Sequence, residues 1–114
     1  MTTVTLAVAS REEIGRRVEA AFGGEAQDVR LSFASVELLW RVLTARRWAL
    51  LRAMTGQGPM SLREAARRVS RDVKAVHADV HALLDAGVLE KDTDGRIVFP
   101  YDAVRVDFTL GKAA

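Results

Sequence analysis

Strict alternation of apolar and polar residues marks three short segments of the chain. Val4, Leu6 and Val8 alternate with threonine and alanine over residues 3–9, and the same period returns over 28–33 and 104–110. A period of two places every second side chain on one face of a β-strand. The pattern therefore predicts two strands in the first third of the chain and one at its C-terminus.

Apolar residues that recur every three or four positions predict helices between these strands. The first such run follows Ser10 and Glu13, which form an S-x-x-E capping box, and it stops at Gly23. This helix and the two strands around it predict a β-α-β appendage over residues 1–34.

Helical spacing dominates the middle of the chain. A short helix follows Ser35, Thr44 is suited to cap the next helix, and residues 56–59 break the pattern with two glycines and a proline. Ser61 and Glu64 then form a second capping box. These signals predict three successive helices, the last of them short.

A tight turn at residues 70–72 leads into a longer predicted helix, which Gly87 ends. Its buried stripe is predicted to contain Val73, Val76, Val80, Leu83 and Leu84. Segments 88–91 and 96–99 flank a Thr-Asp-Gly turn, which predicts a β-hairpin. We therefore predict an α+β fold, with a winged helix-turn-helix domain over residues 35–100 and a C-terminal strand and tail over 101–114.

Composition excludes several classes of function. The chain has no cysteine, so disulfides, thiolate zinc sites and cysteine nucleophiles are absent, and a reducing cytoplasm is the expected location. No signal peptide or membrane span is predicted. No catalytic triad, glycine-rich phosphate loop or carboxylate pair is present, so we expect neither an enzyme nor a cofactor.

The placement of charge is more informative than the net charge of +2. Arginines crowd the middle third of the chain, which is where an anion would bind. If the stripe of the long helix faces the core, its opposite face carries Arg71 and Lys74, followed by small residues. Arginine and lysine at the start of a recognition helix are suited to read bases in the major groove.

The predicted DNA-contacting set extends from these two residues to phosphate-binding groups around them, and to Lys91 and Arg96 at the predicted wing. The full set is Ser61, Arg63, Arg67, Arg68, Ser70, Arg71, Lys74, Ala75, His77, Ala78, Lys91 and Arg96. Each of these charged residues taken alone also fits a solvated helix face. The prediction therefore depends on the whole set.

Two other groups of residues have a chemical and a plain structural interpretation. His77, His81 and Asp85 have a spacing of four along the long helix, which suits a metal-sensing site, but phosphate contact for His77 and plain exposure for the others is the interpretation we favour. No metal is therefore expected. Trp40, Trp48 and Phe99 lie on apolar stripes and are predicted to be core residues rather than platforms for bases.

Three stretches carry a family resemblance: LTARRWALLRAM, PMSLREAARRVSRDVKAVHADVHALLDAGVLEK and DGRIVFPYDAVRVDFTL. Over residues 33–110 the chain resembles prokaryotic winged-helix transcriptional regulators, many of which are the antitoxin of a toxin–antitoxin pair. The resemblance implies a DNA-binding repressor that regulates its own expression. The chain departs from these relatives at Ser70, where they usually have glycine and where a left-handed backbone is therefore expected, and at Ala78, where they often have a basic residue.

The residues also fit two alternatives to a DNA-binding repressor. One is a protein-interaction module that neutralises a toxin partner through the appendage, and the other is a metal-responsive repressor. The three predicted strands are absent from a minimal winged helix, and we expect them to pair only partly within one subunit. Because an exposed apolar edge invites association, the sequence analysis also predicts a homodimer held by the terminal strands.

Overall fold

The computed structural model describes residues 2–8 and 29–109 of the chain. In chain order the elements are β1 (Thr3–Val8), β2 (Val29–Phe33), α1 (Val36–Val42), α2 (Ala45–Met54), α3 (Leu62–Arg68), α4 (Val73–Asp85), β3 (Glu90–Lys91), β4 (Ile97–Val98) and β5 (Ala103–Asp107). The helix predicted after Ser10 lies outside the described residues. The fold is α+β, as the pattern predicts.

The two ends of the described chain meet in one parallel sheet. Its strand order is β2-β1-β5, and Leu6 in the central strand lies opposite Leu31 on one side and Val106 on the other. The alternating apolar residues of all three strands therefore share one face. The three predicted strands are confirmed. They pair with one another within one chain, but only β1 is paired on both sides, and the outer edges of β2 and β5 have no strand beside them in the described part of the chain. β1 and β5 pair with each other although about a hundred residues separate them in sequence. The alternation of apolar residues predicts the strands but not which of them pair.

One hydrophobic core joins the sheet to the helices. Val4 and Leu6 of β1 belong to the same buried cluster as Leu39 of α1, and this cluster continues through all the later helices to Phe99. Helix α3 contributes only Ala65 and Ala66 as fully buried residues, and their small side chains allow close packing against α4. The sheet therefore supports the helical part from one side.

Polar side chains cap the N-terminus of each described helix. The hydroxyls of Ser35, Thr44 and Ser61 each accept a hydrogen bond from the backbone N–H three residues later. The predicted caps at Thr44 and Ser61 are confirmed. Asp72 caps α4 by accepting from the N–H of Lys74.

Helices α3 and α4 end in the same way, with a left-handed residue after the last turn. Gly87 has φ 83°, and Val88 N–H donates to Leu83 O while Gly87 N–H donates to Leu84 O. At the end of α3, Ser70 occupies the equivalent position with φ 53°. The left-handed backbone expected at Ser70 is thus confirmed.

The hairpin is shorter than the sequence predicts. Only Glu90–Lys91 and Ile97–Val98 pair, because Val88 and Leu89 bond instead to Leu83 O and are buried in the core. Met60, which lies between α2 and α3, adds a bridge to Ile97 on the far side of β4. The hairpin is thereby attached to the segment that precedes α3.

Three apolar residues predicted to be buried are exposed. Trp40 is 50% exposed, Trp48 37% and Val73 39%, whereas Phe99 is buried as expected. Helical spacing identifies the apolar face of a helix but not how far neighbouring elements cover that face, and Val73 is the first residue of α4. Within the described ranges, no helix has the length and apolar character that a membrane crossing needs.

Candidate nucleic-acid interface

The exposed face of α4 combines one cation with small and aromatic polar residues. Lys74, His77, Ala78 and His81 are exposed and recur at helical spacing, and Ala75 beside them is half-buried. None of the exposed residues from Lys74 to His81 is acidic. The inner face of the same helix buries Val76, Val80 and Leu83, so core packing fixes the outward direction of the exposed face.

Arginines extend this positive surface onto α3. Arg63, Arg67 and Arg68 are all exposed, and the last two share the carboxylate of Glu64. The hydrogen bond from Arg68 and the charges of both arginines hold the pKa of Glu64 below its ordinary value of 4.5. Glu64 therefore orients these arginines instead of completing the predicted capping box, in which its side chain would bond back to Ser61.

Four of the predicted DNA-contacting cations have no ion-pair partner among the described residues. They are Arg63, Lys74, Lys91 and Arg96. Such side chains keep their full charge available for a phosphate.

Lys91 and Arg96 flank the tip of the hairpin, where the backbone is fixed by an acidic side chain. Asp92 Oδ1 accepts hydrogen bonds from the N–H groups of Asp94 and Arg96, both at 2.9 Å. Gly95 adopts φ 80° to close the turn. Because two aspartates lie between the two basic residues, the tip is electrically mixed rather than strongly positive.

Arg71 is placed differently from the other predicted contacts. Its Nη2 lies 2.7 Å from Asp79 Oδ2, and its side chain is only 20% exposed. Asp79 Oδ1 also accepts from Arg47 Nε at 2.9 Å. The guanidinium expected to reach bases is therefore half-buried in an Arg–Asp–Arg network.

This network joins three helices. Arg47 lies on α2, Asp79 lies on α4, and Arg47 Nη1 also donates to the carbonyls of Arg41 and Val42 at the end of α1, each at 3.0 Å. Partial burial raises the pKa of the Asp79 carboxyl, but the hydrogen bond from Arg47 and the charges of Arg47 and Arg71 outweigh that effect, so the pKa lies below its ordinary value of 3.8. Asp79 is therefore ionised and fixes the orientation of α4.

Sequence reasoning missed this network, although a signal for it was present. Asp79 lies directly before the buried Val80 and three residues after the buried Val76. A carboxylate at the margin of a buried helical stripe needs cationic partners. Which arginines supply them depends on how α2 packs, and that is a tertiary property.

The remaining predicted contacts lie at helix ends. Ser61 is exposed, and its hydroxyl already accepts from Glu64 N–H. The N-terminus of α4 carries the carboxylate of Asp72, which accepts from Lys74 N–H. Ser70 lies in the turn between the two helices and is exposed. The groups at this surface that are suited to hold an anion are therefore the basic side chains rather than the helix N-terminus.

The two histidines of α4 contact each other. The centroids of the His77 and His81 rings lie 4.2 Å apart. Over residues 2–8 and 29–109, no three His, Cys, Asp or Glu side chains come together in a way that would hold a metal ion. The spacing that suggests a metal site therefore brings only two of its three members together.

The chain matches a known family of proteins over more than half of its length. The HVO_A0114 family model matches residues 42–106, which extend from the end of α1 to β5 and make up more than half of the chain. No curated protein and no solved structure matches the chain. The matched region contains α2, α3, α4 and the hairpin, and on this match the chain belongs to the HVO_A0114 family.

Proposed function

We propose that α2, α3, α4 and the hairpin form a winged helix that binds double-stranded DNA, and that the protein regulates transcription. The order of elements supports this, because a helix, the bridging residue Met60, two helices joined by a tight turn and a hairpin follow one another along the chain. In helix-turn-helix proteins the second helix of the pair lies in the major groove.

The observation that carries the proposal is the exposed face of α4. α4 has 13 residues and is therefore about 20 Å long. An α-helix with its side chains is about 10–12 Å in diameter, which fits a major groove about 12 Å wide. Lys74 supplies a charge at the N-terminal end of this face, and Ala75 and Ala78 allow close approach to the base edges. The core packing of Val76 and Val80 holds the face in one orientation.

We assign the contacts with phosphates on either side of the groove to the basic side chains around α4. Arg63, Arg67 and Arg68 of α3 lie on one side of α4, and Lys91 and Arg96 of the hairpin provide the contacts of a wing. Residues 61–78 contain five basic and two acidic side chains, so this stretch is positive although the whole chain is nearly neutral.

Arg71 has a more specific role in this proposal than the sequence suggests. Its ion pair with Asp79 has to open before its guanidinium can form two hydrogen bonds with a guanine. We therefore assign the resting Arg71 to positioning α4, and we assign the first contact with DNA to Lys74, which has no such partner among the described residues.

Substitution of Lys74 tests the proposal. Fluorescence anisotropy with labelled duplex from the region upstream of the protein's own gene measures the dissociation constant, and a scrambled duplex measures non-specific binding. Lys74→Ala is expected to raise the dissociation constant for the upstream duplex about tenfold, and to reduce the dependence of log K on log salt by about one if the contact is to phosphate.

Arg52→Ala is the matched control. It removes one exposed charge from α2, on a different face of that helix from Arg47, and it should leave binding nearly unchanged. The proposal is wrong if the unaltered protein binds neither duplex at moderate salt, or if Lys74→Ala binds as tightly as Arg52→Ala does.

A further inference from the structure

An apolar cleft lies beside β5, and none of its lining residues belongs to α4. Trp40, Trp48 and Val106 line it together with Leu43, Thr44 and Ala45, and its volume is about 530 Å³. Trp40 is 50% exposed, and its ring contacts that of Phe108 edge-on, with the ring centroids 5.4 Å apart. Two exposed tryptophans in one cleft are typical of an interaction surface rather than of a surface in contact only with water.

The adjoining strand has an unused edge. β5 pairs with β1 on one side, and no strand in the described part of the chain pairs with its other side. Val104, Val106 and Phe108 lie on the face that the cleft shares. Arg105 and Asp107 lie on the opposite face, where the Asp107 carboxylate is 3.8 Å from the Arg30 guanidinium of β2 but its side chain is still 43% exposed. An edge strand with free backbone groups is a template for a further strand.

The charges of β5 are complementary to a second copy of the same strand in one register. In an antiparallel pair about a twofold axis through Val106, Arg105 lies opposite the partner's Asp107, and Asp107 lies opposite the partner's Arg105. An axis through Arg105 would place two arginines together, and an axis through Asp107 would place two aspartates together. Only the Val106 register of these three gives attraction on the polar face.

The same register also suits the apolar face. It places Val106 opposite its own equivalent and Val104 opposite the partner's Phe108, so the aromatic clefts of both copies meet above the pairing. The other outer strand, β2, contains Arg30 but no acidic residue, and so lacks this self-complementarity.

We propose that the chain forms a homodimer through antiparallel pairing of β5 about Val106, with Trp40 and Trp48 buried between the copies. The two three-stranded sheets then become one sheet of six strands. A twofold axis makes the interface identical on both copies. If the protein also binds DNA as proposed above, the two α4 helices would require an operator with inverted repeats.

Charge reversal tests the register, with light scattering after size exclusion as the measurement. The unaltered chain is expected at about twice its mass of 12.5 kDa. Arg105→Asp and Asp107→Arg should each weaken the dimer about tenfold or more, because each places like charges opposite each other twice. An equimolar mixture of the two variants should recover the dimer, because both pairs are then attractive. Circular dichroism confirms that each variant is folded.

Arg52→Asp, a charge reversal away from β5, is the control and should remain dimeric. A monomeric unaltered chain overturns the proposal and leaves the cleft to another occupant, such as the residues after 109 or a different protein. Single reversals that remain dimeric, or a mixture that stays monomeric, also overturn it. None of these results depends on Lys74, so failure of the dimer is distinguishable from failure of DNA binding.

Discussion

At the scale of the residue, Ser70 adopts a strained backbone conformation that allows the turn after α3 to close. Its φ of 53° is required because its N–H donates to Arg67 O and Arg71 N–H donates to Ala66 O, which closes the end of α3. A residue with a Cβ has a cost of about 1 kcal/mol or more in this conformation, and glycine does not. The turn therefore holds avoidable strain.

Ser70→Gly is expected to stabilise the protein by about 0.5–1 kcal/mol, because relief of this strain exceeds the extra entropy of glycine in the unfolded chain. Urea unfolding measures the effect as a higher midpoint with an unchanged slope. Ser70→Ala keeps the Cβ and is the matched control, with little change expected. A glycine variant less stable than the alanine variant would show that the turn is not strained.

Asp79 is the second residue whose environment gives a quantitative expectation. Its side chain is 13% exposed, and it is shared by Arg47 and Arg71, whose side chains are also largely covered. Asp79→Asn keeps the shape but leaves both guanidinium groups without a countercharge. We expect a loss of about 2 kcal/mol in the free energy of unfolding at pH 7.

The pH dependence follows from the lowered pKa of Asp79. The stabilisation is fully present above the pKa of an unfolded aspartate, about 4, and is lost as the pH falls through the lower folded value. The difference between the unaltered chain and Asp79→Asn should therefore shrink below about pH 4. Asp85→Asn, on the same helix but exposed, is the control. Equal stability of the Asp79 variant and the unaltered chain at pH 7 would contradict the assignment.

At the scale of the element, the sequence predicts most of what the structure contains. Capping residues such as Thr44 and Ser61, and the stop at Gly87, are local signals, so the helices begin and end close to where the pattern places them. The hairpin is shorter than predicted because Val88 and Leu89 are held by the end of α4. A local sequence pattern does not show that the end of α4 and the hairpin compete for the backbone groups of Val88 and Leu89.

The tryptophans illustrate the limit of periodicity within an element. Trp40 and Trp48 lie on the apolar sides of α1 and α2, yet both line an open cleft. Periodicity shows which side of a helix is apolar, and only the packing of the helices and β5 shows how far that side is covered. The same limit applies to the candidate interface. The sequence predicts which residues lie on the exposed face of α4, but it does not predict the ion pair between Arg71 and Asp79.

At the scale of the whole molecule, the chain has two surfaces with different chemistry. The basic surface of α3 and α4 is suited to a polyanion, and the cleft beside β5 is suited to an apolar partner. The parallel sheet belongs to the same core as the helices, and it brings together residues that no local pattern relates. Thr2 N–H donates to Asp102 Oδ2 at 2.8 Å, between residues one hundred positions apart.

The central claim is that α4 and the hairpin contact DNA, and amide NMR spectra recorded during titration with the upstream duplex test it most directly. We expect the largest shifts at Lys74, Ala75 and Ala78 and around Lys91 and Arg96, with Trp40 and Trp48 little changed. Shifts confined to the cleft of Trp40 and Trp48, or no shifts at saturating duplex, would contradict the claim.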